Sequence, residues 1–223
     1  MHPQLLNHLK SYQYQYYRGT LGSEENNQNA RWTDHIINDR IVFSHRKVDY
    51  TFDTFEDKMH SHEFCEFVFY VSGDIHFVVD NKIYRPQYGD VFIVRPSEIH
   101  SAKLEKPSCY DRYVMWFDTN IFDHFKDGRD ELGGFIFNRN KGEDNLITLP
   151  ENILKLVISL LKKVELTVSE PFNGSDIIAY SNLLQLFVLI NNHRLKKLDI
   201  NRSVSVPESL LKAINYIDMN FKD

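Results

Sequence analysis

The chain has 223 residues, 42% of them hydrophobic, enough for one good-sized core with a satellite unit. Lys and Arg number 26 against 31 Asp and Glu, and the net charge of -5 excludes a protein that grips nucleic acid by overall charge. The N-terminus, MHPQLLNHLKSYQYQYYRG, has neither a basic start nor an apolar core, and no window approaches the roughly 18 apolar residues of a spanning helix, so a cytoplasmic protein with no membrane partner is expected.

In chain order, residues 1–30 read as an arm: GTLGSEENNQN is polar and glycine-containing, and Tyr12, Tyr14, Tyr16 and Tyr17 precede it. From Arg40 to about Phe117 short β-branched and aromatic runs alternate with turn residues (IVFSH, FCEFVFYVSG, IHFVVDNKIY, GDVFIVRP, YVMWF), the pattern of an antiparallel sandwich or small barrel, here given bounds of 31–148. Asp80-Asn81 suits a tight hairpin, and Gly73 and Gly89 stand where strands end. Two cysteines, Cys65 in an apolar run and Cys109, are too few for a disulfide scaffold and read as buried thiols in a reducing compartment.

After Pro150 the period switches to helical. Ile153, Val157, Leu160, Leu161 and Val164 form one stripe with Lys162 and Lys163 outside it. A second helix starts at a Ser175 cap and carries His193, Arg194, Lys196 and Lys197 near its end. Its apolar residues nearly encircle the axis: Ile177, Tyr180, Leu184 and Phe187 on one side, Leu183, Leu186, Leu189 and Ile190 on another. Two buried faces need two partners. A second copy of the chain is the simplest source of one, which makes residues 149–198 a dimerisation unit with Leu183, Leu186, Leu189 and Ile190 at its seam; the alternative is that one chain's own helix and sheet cover both faces. A polar linker at 199–206 precedes a segment, 207–223, in which Ser205 and Glu208 have capping-box spacing and Leu210, Ile214, Ile217 and Phe221 form a stripe with nothing downstream to bury it. It reads as the first helix of a domain that the sequence cuts off.

The stretch HSHEFCEFVFYVSG, residues 60–73, carries the chemistry. Alternate residues of a strand share a face, so His60, His62 and Glu66 converge, and His100 closes the later run GDVFIVRPSEIH; two or three imidazoles with a carboxylate suit Zn, Ni, Fe or Mn. The pattern H-x-H-x3-E-x6-G, met by His60, His62, Glu66 and Gly73, resembles the first motif of the cupin superfamily. The second, G-x5-P-x-G-x2-H-x3-N, is met only at Gly89 and His100, with Arg95, Ser97 and Leu104 in the other places and Thr54 replacing the glycine before the first motif.

That mixture, with two helices and then LLKAINYIDMNF after it, resembles the ligand-sensing and dimerisation region of AraC-family transcription regulators. The resemblance implies a mainly β fold with α, a cupin double-stranded β-helix barrel followed by a helical dimerisation unit. It also implies a small-molecule effector such as a sugar or related metabolite, a homodimer, and DNA binding only through a missing C-terminal domain, with no catalysis. The rival is a metal-dependent cupin enzyme of dioxygenase or sugar-isomerase type, supported by the same four ligands. Candidate effector contacts are Tyr70, in strand parity with Glu66; Arg112 and Trp116, which share parity on a later strand; and Arg46 on an early one.

Overall fold

The structure, a computed structural model, describes residues 34–55, 57–123, 125 and 132–203, the last of these from 195 onward as backbone only. The expected arm at 1–30 and the expected helix at 207–223 lie outside the described residues. Among the described residues nine strands form two antiparallel sheets. The larger contains β1 (His35–Ile37), β2 (Ile41–Tyr50), β3 (Cys65–Ser72), β6 (Val91–Val94), β8 (Ser108–Phe117) and β9 (Leu146–Ile147) in the order β1-β2-β8-β3-β6-β9, and the smaller has β4 (Ile75–Val79) between β5 (Lys82–Tyr84) and β7 (His100–Leu104). Among the described residues three α-helices follow the long strands: α1 (Gly134–Phe137), α2 (Glu151–Ser169) and α3 (Ser175–Ser203). The sequence runs anticipate the long strands, whereas β1, β7, β9 and α1 carry too little periodicity to be read in advance.

Strand parity sorts the large sheet into two faces. Odd residues of β3 and β8, Phe67, Phe69, Tyr113, Met115 and Phe117, join a core with α2 and α3. Even residues Val68, Tyr70 and Tyr110 face the small sheet and pack with Ile75, Phe77 and Val79. A sheet buried on both faces explains why its strands read as near-continuous apolar runs. The β4–β5 hairpin turns at Asp80, whose φ of 49° is the conformation its side chain tolerates. Gly89 (φ 85°) is required by a close approach, since a β-carbon there would lie 2.5 Å from Leu154 Cδ1 on α2.

The helical layer corrects the sequence reading. Leu183, Leu186 and Ile190 are fully buried within the chain's own core, and Leu189 packs against it half-buried, so these residues are not a free seam for a second copy. The encircled axis is covered from within: α2 takes one side of α3, and β1, α1 and the large sheet take the other, with Phe187 packed against Phe67, Phe117, Phe122 and Phe135. Hydrophobic periodicity reports that a face is buried, not which partner buries it. At the start of α3, Ser175 is already helical and its hydroxyl closes the preceding turn on Phe172 O (2.7 Å). Its far end runs to Ser203, so the first five residues of the expected linker, 199–203, are helical. Cys65 and Cys109 are not joined by a disulfide; Cys65 is buried and Cys109 part-exposed.

Candidate functional site

The segment before β3 is held open rather than paired as a strand, and three backbone anchors bring its histidines together. His60 exchanges both main-chain hydrogen bonds with His100 at the start of β7 (3.0 and 2.8 Å), and Ser97 N–H donates to His62 O (2.8 Å). Ser97 stands where the cupin pattern has glycine and keeps glycine's left-handed conformation, φ 64°. The drifted residue therefore preserves the turn, at a cost of about 1–2 kcal/mol for a side chain in that region. One ligand atom from each of His60, His62 and His100 lies within 4.8 Å of the others. From β3, Glu66 places Oε2 3.3 Å from His62 Nε2 and 3.2 Å from His100 Nε2.

Each imidazole is oriented from behind. Nδ1 of His60 reaches Lys58 O (2.7 Å), that of His62 reaches Phe64 O (2.9 Å) and that of His100 reaches Glu98 O (2.9 Å). A carbonyl only accepts, so the proton belongs on Nδ1 and a neutral ring then presents its Nε2 lone pair inward. In the neutral form two such lone pairs would face one oxygen of Glu66, which when ionised also only accepts, so without an ion a ring meets Glu66 by carrying a second proton on Nε2. Burial pushes the Glu66 carboxyl up, yet the hydrogen bonds from His100 and His62 and the charge they carry outweigh it and hold it well below the usual carboxylate range. Burial pulls His62 down against its bond to Glu66; at His100 burial also pulls down, but Glu66, the Glu98 carbonyl and Asp57 outweigh it and raise the ring. A divalent ion of nitrogen and oxygen preference would take the place of those Nε2 protons, facing the imidazole nitrogens and the Glu66 carboxylate together. Zn, Ni, Fe or Mn all suit this donor set, so the residues fit a metal.

Behind the cage lies a cavity of about 70 Å³, room for a handful of waters. His60, Glu66 and His100 form part of its wall, as do Arg46, Arg112 and Trp116. Arg46 and Arg112 are directly opposite on β2 and β8. The Arg46 guanidinium lies 4.7 Å from the Trp116 ring and binds Asp34 Oδ1 (3.0 Å) and Ser44 Oγ (2.9 Å); that of Arg112 lies 3.9 Å from the Tyr110 ring. Tyr70 has the expected parity but does not line the cavity, because its hydroxyl turns away to donate to Gly73 O. Periodicity gives the face of a strand residue and not the direction of its polar tip.

Sequence reasoning missed Asp57 and Tyr110 in the cavity wall. Asp57 Oδ2 accepts from Ala102 N–H (2.6 Å), whereas its buried Oδ1 has no hydrogen-bond partner among the described residues, and burial raises its pKa. It sits in an aperiodic loop, so no strand or helix pattern points at it; Tyr110, by contrast, shares parity with Arg112 and Trp116 and was available to that argument.

Two facing antiparallel sheets closed around a histidine and glutamate cage define a cupin-type barrel, here carrying a helical layer on its larger sheet. The chain belongs to the AraC-like ligand binding domain family, whose match spans residues 42–187 and so takes in both the barrel and most of the helical layer. Among solved structures it is similar to a cupin superfamily protein from Desulfitobacterium hafniense (12% identity, 42% of this chain and 81% of that one, TM-score 0.34). It is also similar to a cupin 2 conserved barrel domain protein from Salinispora arenicola (20%, 43% and 81%, TM-score 0.35) and to an RmlC-like cupin from Shewanella frigidimarina (22%, 40% and 75%, TM-score 0.34). No curated protein matches the chain. The family membership supports a ligand-sensing regulatory domain over the metal-enzyme alternative, and among the described residues no helix is long and apolar enough to cross a membrane.

Proposed function

We propose that this chain is the effector-sensing region of a cytoplasmic transcription regulator. In this reading the barrel binds a small polar metabolite, a sugar or a related compound, and the bound state controls DNA reading by a domain C-terminal to residue 223. The observation that carries the proposal is the continuity of cage and cavity: His60, Glu66 and His100 belong to both, so a molecule in the cavity meets the cage directly. Arg46 and Arg112 supply donors, Glu66 and Asp57 supply acceptors, and the Trp116 and Tyr110 rings supply flat apolar faces. That combination matches a compound with several hydroxyl or carboxyl groups. His60, His62, His100 and Glu66 would hold a divalent ion, which when bound supplies a Lewis-acidic point for an oxygen of the effector. A homodimer is part of this reading, and its contact falls not to the buried α3 residues but to exposed apolar ones around the α2–α3 turn, Leu166 (64% exposed), Phe172 (61%) and Ile177 (73%).

Metal analysis of protein purified without added metal, followed by a thermal-shift screen of sugars and sugar acids, tests the sensing site. His62→Ala is expected to abolish metal retention and the associated stabilisation, which is about 2.7 kcal/mol for an ion present at 100 times its Kd. Metal content unchanged in that variant would overturn the cage as drawn. Uptake of Zn²⁺ should also weaken on acidification. A ligating imidazole must be unprotonated, and His100 holds its proton to a higher pH than an ordinary histidine, so affinity rises with pH until that raised value is passed. Calorimetric titrations between about pH 6 and 8, around the ordinary histidine value of ~6.5, read this out; an affinity independent of pH would mean that the histidines are not the ligands. For the regulatory half, residues 1–223 alone should bind no DNA sequence selectively, and extension through the following reading frame should give binding that falls as salt rises. Selective binding by residues 1–223 alone would place the DNA-reading surface elsewhere.

A further inference from the structure

One short turn between β6 and β7 touches the cage directly and is linked to the far end of the helical layer through residues 139–148. Ser97 N–H holds His62 O, and Glu98 O accepts from His100 Nδ1 (2.9 Å), so two of the cage histidines are fastened to adjacent residues. The Glu98 side chain is fully buried and accepts both Arg139 terminal nitrogens at 2.7 Å, together with Gly142 N–H (2.8 Å) and Asn145 Nδ2 (3.0 Å). Arg139 in turn donates to Glu143 O (2.9 Å), and Asp144, at φ 50°, accepts Arg194 of α3 on its carbonyl (3.1 Å) and its carboxylate (3.3 Å). Beside this, Nε2 of His193 lies 3.1 Å from Thr148 O. A continuous set of directional bonds thus runs from the rings of the cage to the last fully described turn of α3.

A buried ion pair is a poor device for stability alone, because apolar residues of the same volume do as well or better. Its directional geometry serves another purpose here. We propose that Glu98 and Arg139 couple the histidine cage to residues 190–194 of α3, so that occupancy of the cage alters the rigidity of the helix leading toward the C-terminal segment. The coupling rests on the cage being the sensing site. Glu98 acts as a positioning residue: its carbonyl sets the His100 ring while its carboxylate sets the 139–148 segment, so a displacement of one reaches the other through a single rigid turn.

Amide hydrogen exchange on the 223-residue chain, with and without Zn²⁺ as the probe, tests this. In the wild type, Zn²⁺ should slow exchange at 190–194 by about threefold to tenfold, within the range that interior coupling energies produce. The double variant Glu98→Gln/Arg139→Gln removes both charges together, leaving no orphan charge. At a Zn²⁺ concentration that calorimetry shows to saturate it, this variant should lose the change at 190–194. Arg194→Gln combined with His193→Ala cuts both side-chain bonds between that segment and the end of α3, so the effect should reach 139–148 and stop there; this variant carries the test if the Glu98/Arg139 variant does not fold. Zn²⁺ binding to the wild type with no change at 190–194, or a change that persists in the variants, overturns the coupling while leaving the cage intact. Failure of Zn²⁺ to bind the wild type at all removes the cage reading and the coupling with it.

Discussion

Arg139→Met is expected to lower folding stability by about 3–5 kcal/mol, the effect of stripping one partner from a buried ion pair. The Glu98 side chain is at 0% exposure and that of Arg139 at 1%. Without the guanidinium, the carboxylate keeps Gly142 N–H, Asn145 Nδ2 and Arg95 N–H (2.9 Å) as donors, and the only positive charge left beside it is the more distant, part-exposed Arg95 guanidinium, with Nε at 3.6 Å. Equilibrium urea unfolding reads the loss, and a difference below about 1 kcal/mol would put the pair in the class of surface bridges. The pH dependence has a definite sign. Burial pushes Glu98 up, but the bonds and charge of Arg139 with the Arg95 and Gly142 amides outweigh it and lower its pKa. Its contribution is therefore complete above the unfolded carboxylate value, about 4.3, and fades as pH falls through the lower folded value. The gap between wild type and variant should close in acid, where a protonated Glu98 no longer needs the charge.

Phe187→Ala should be comparably severe, about 3–5 kcal/mol for a large aromatic removed from a packed interior. Its ring stands 5.1 to 6.1 Å from those of Phe67, Phe117, Phe122 and Phe135, so it joins the barrel sheet, the segment after β8, and α1 to the helical layer. Thermal unfolding measures the loss, and a cost under about 1 kcal/mol would show that the cluster closes over the gap. Leu186→Glu makes a sharper comparison at the neighbouring position. A residue on an intermolecular seam would yield folded monomers, whereas a leucine in the chain's own core yields an unfolded or aggregated protein when it becomes a charge. Circular dichroism with sedimentation separates the two outcomes, and a folded monomer from that variant would return α3 to the seam.

The difference between what could and could not be read in advance has a physical basis. Side-chain alternation has a period of two, so it set Tyr70 with Glu66 and Arg112 with Trp116 in advance, whereas only the fold brings Glu66, Arg46, Arg112 and Trp116 to the wall of one cavity. Motif spacing did the same for His60, His62 and His100, because the chemistry of the cage fixes the residue types. Tyr70 escaped because one rotamer choice sent its hydroxyl to Gly73 O. The α3 stripe escaped because burial has no address in a sequence. Glu98 and Arg139 gave no local signal at all: they are distant in the chain, and each looks like an ordinary surface charge until the fold brings them together.

The position of β8 sets the order in which this protein comes together during synthesis. β8 lies between β2 and β3, with Ile41 opposite Phe117 on one side and Phe69 opposite Tyr113 on the other. Both flanking strands leave the ribosome long before their shared partner does. Until residue 117 has emerged, the inner edges of β2 and β3 present unpaired amides and carbonyls beside apolar runs such as FCEFVFYV. Pairing at that sequence distance makes barrel closure a slow, late step, and the cage forms only when β7 and β8 arrive. The interval before closure is when the nascent chain is most exposed to strand-to-strand association with its neighbours.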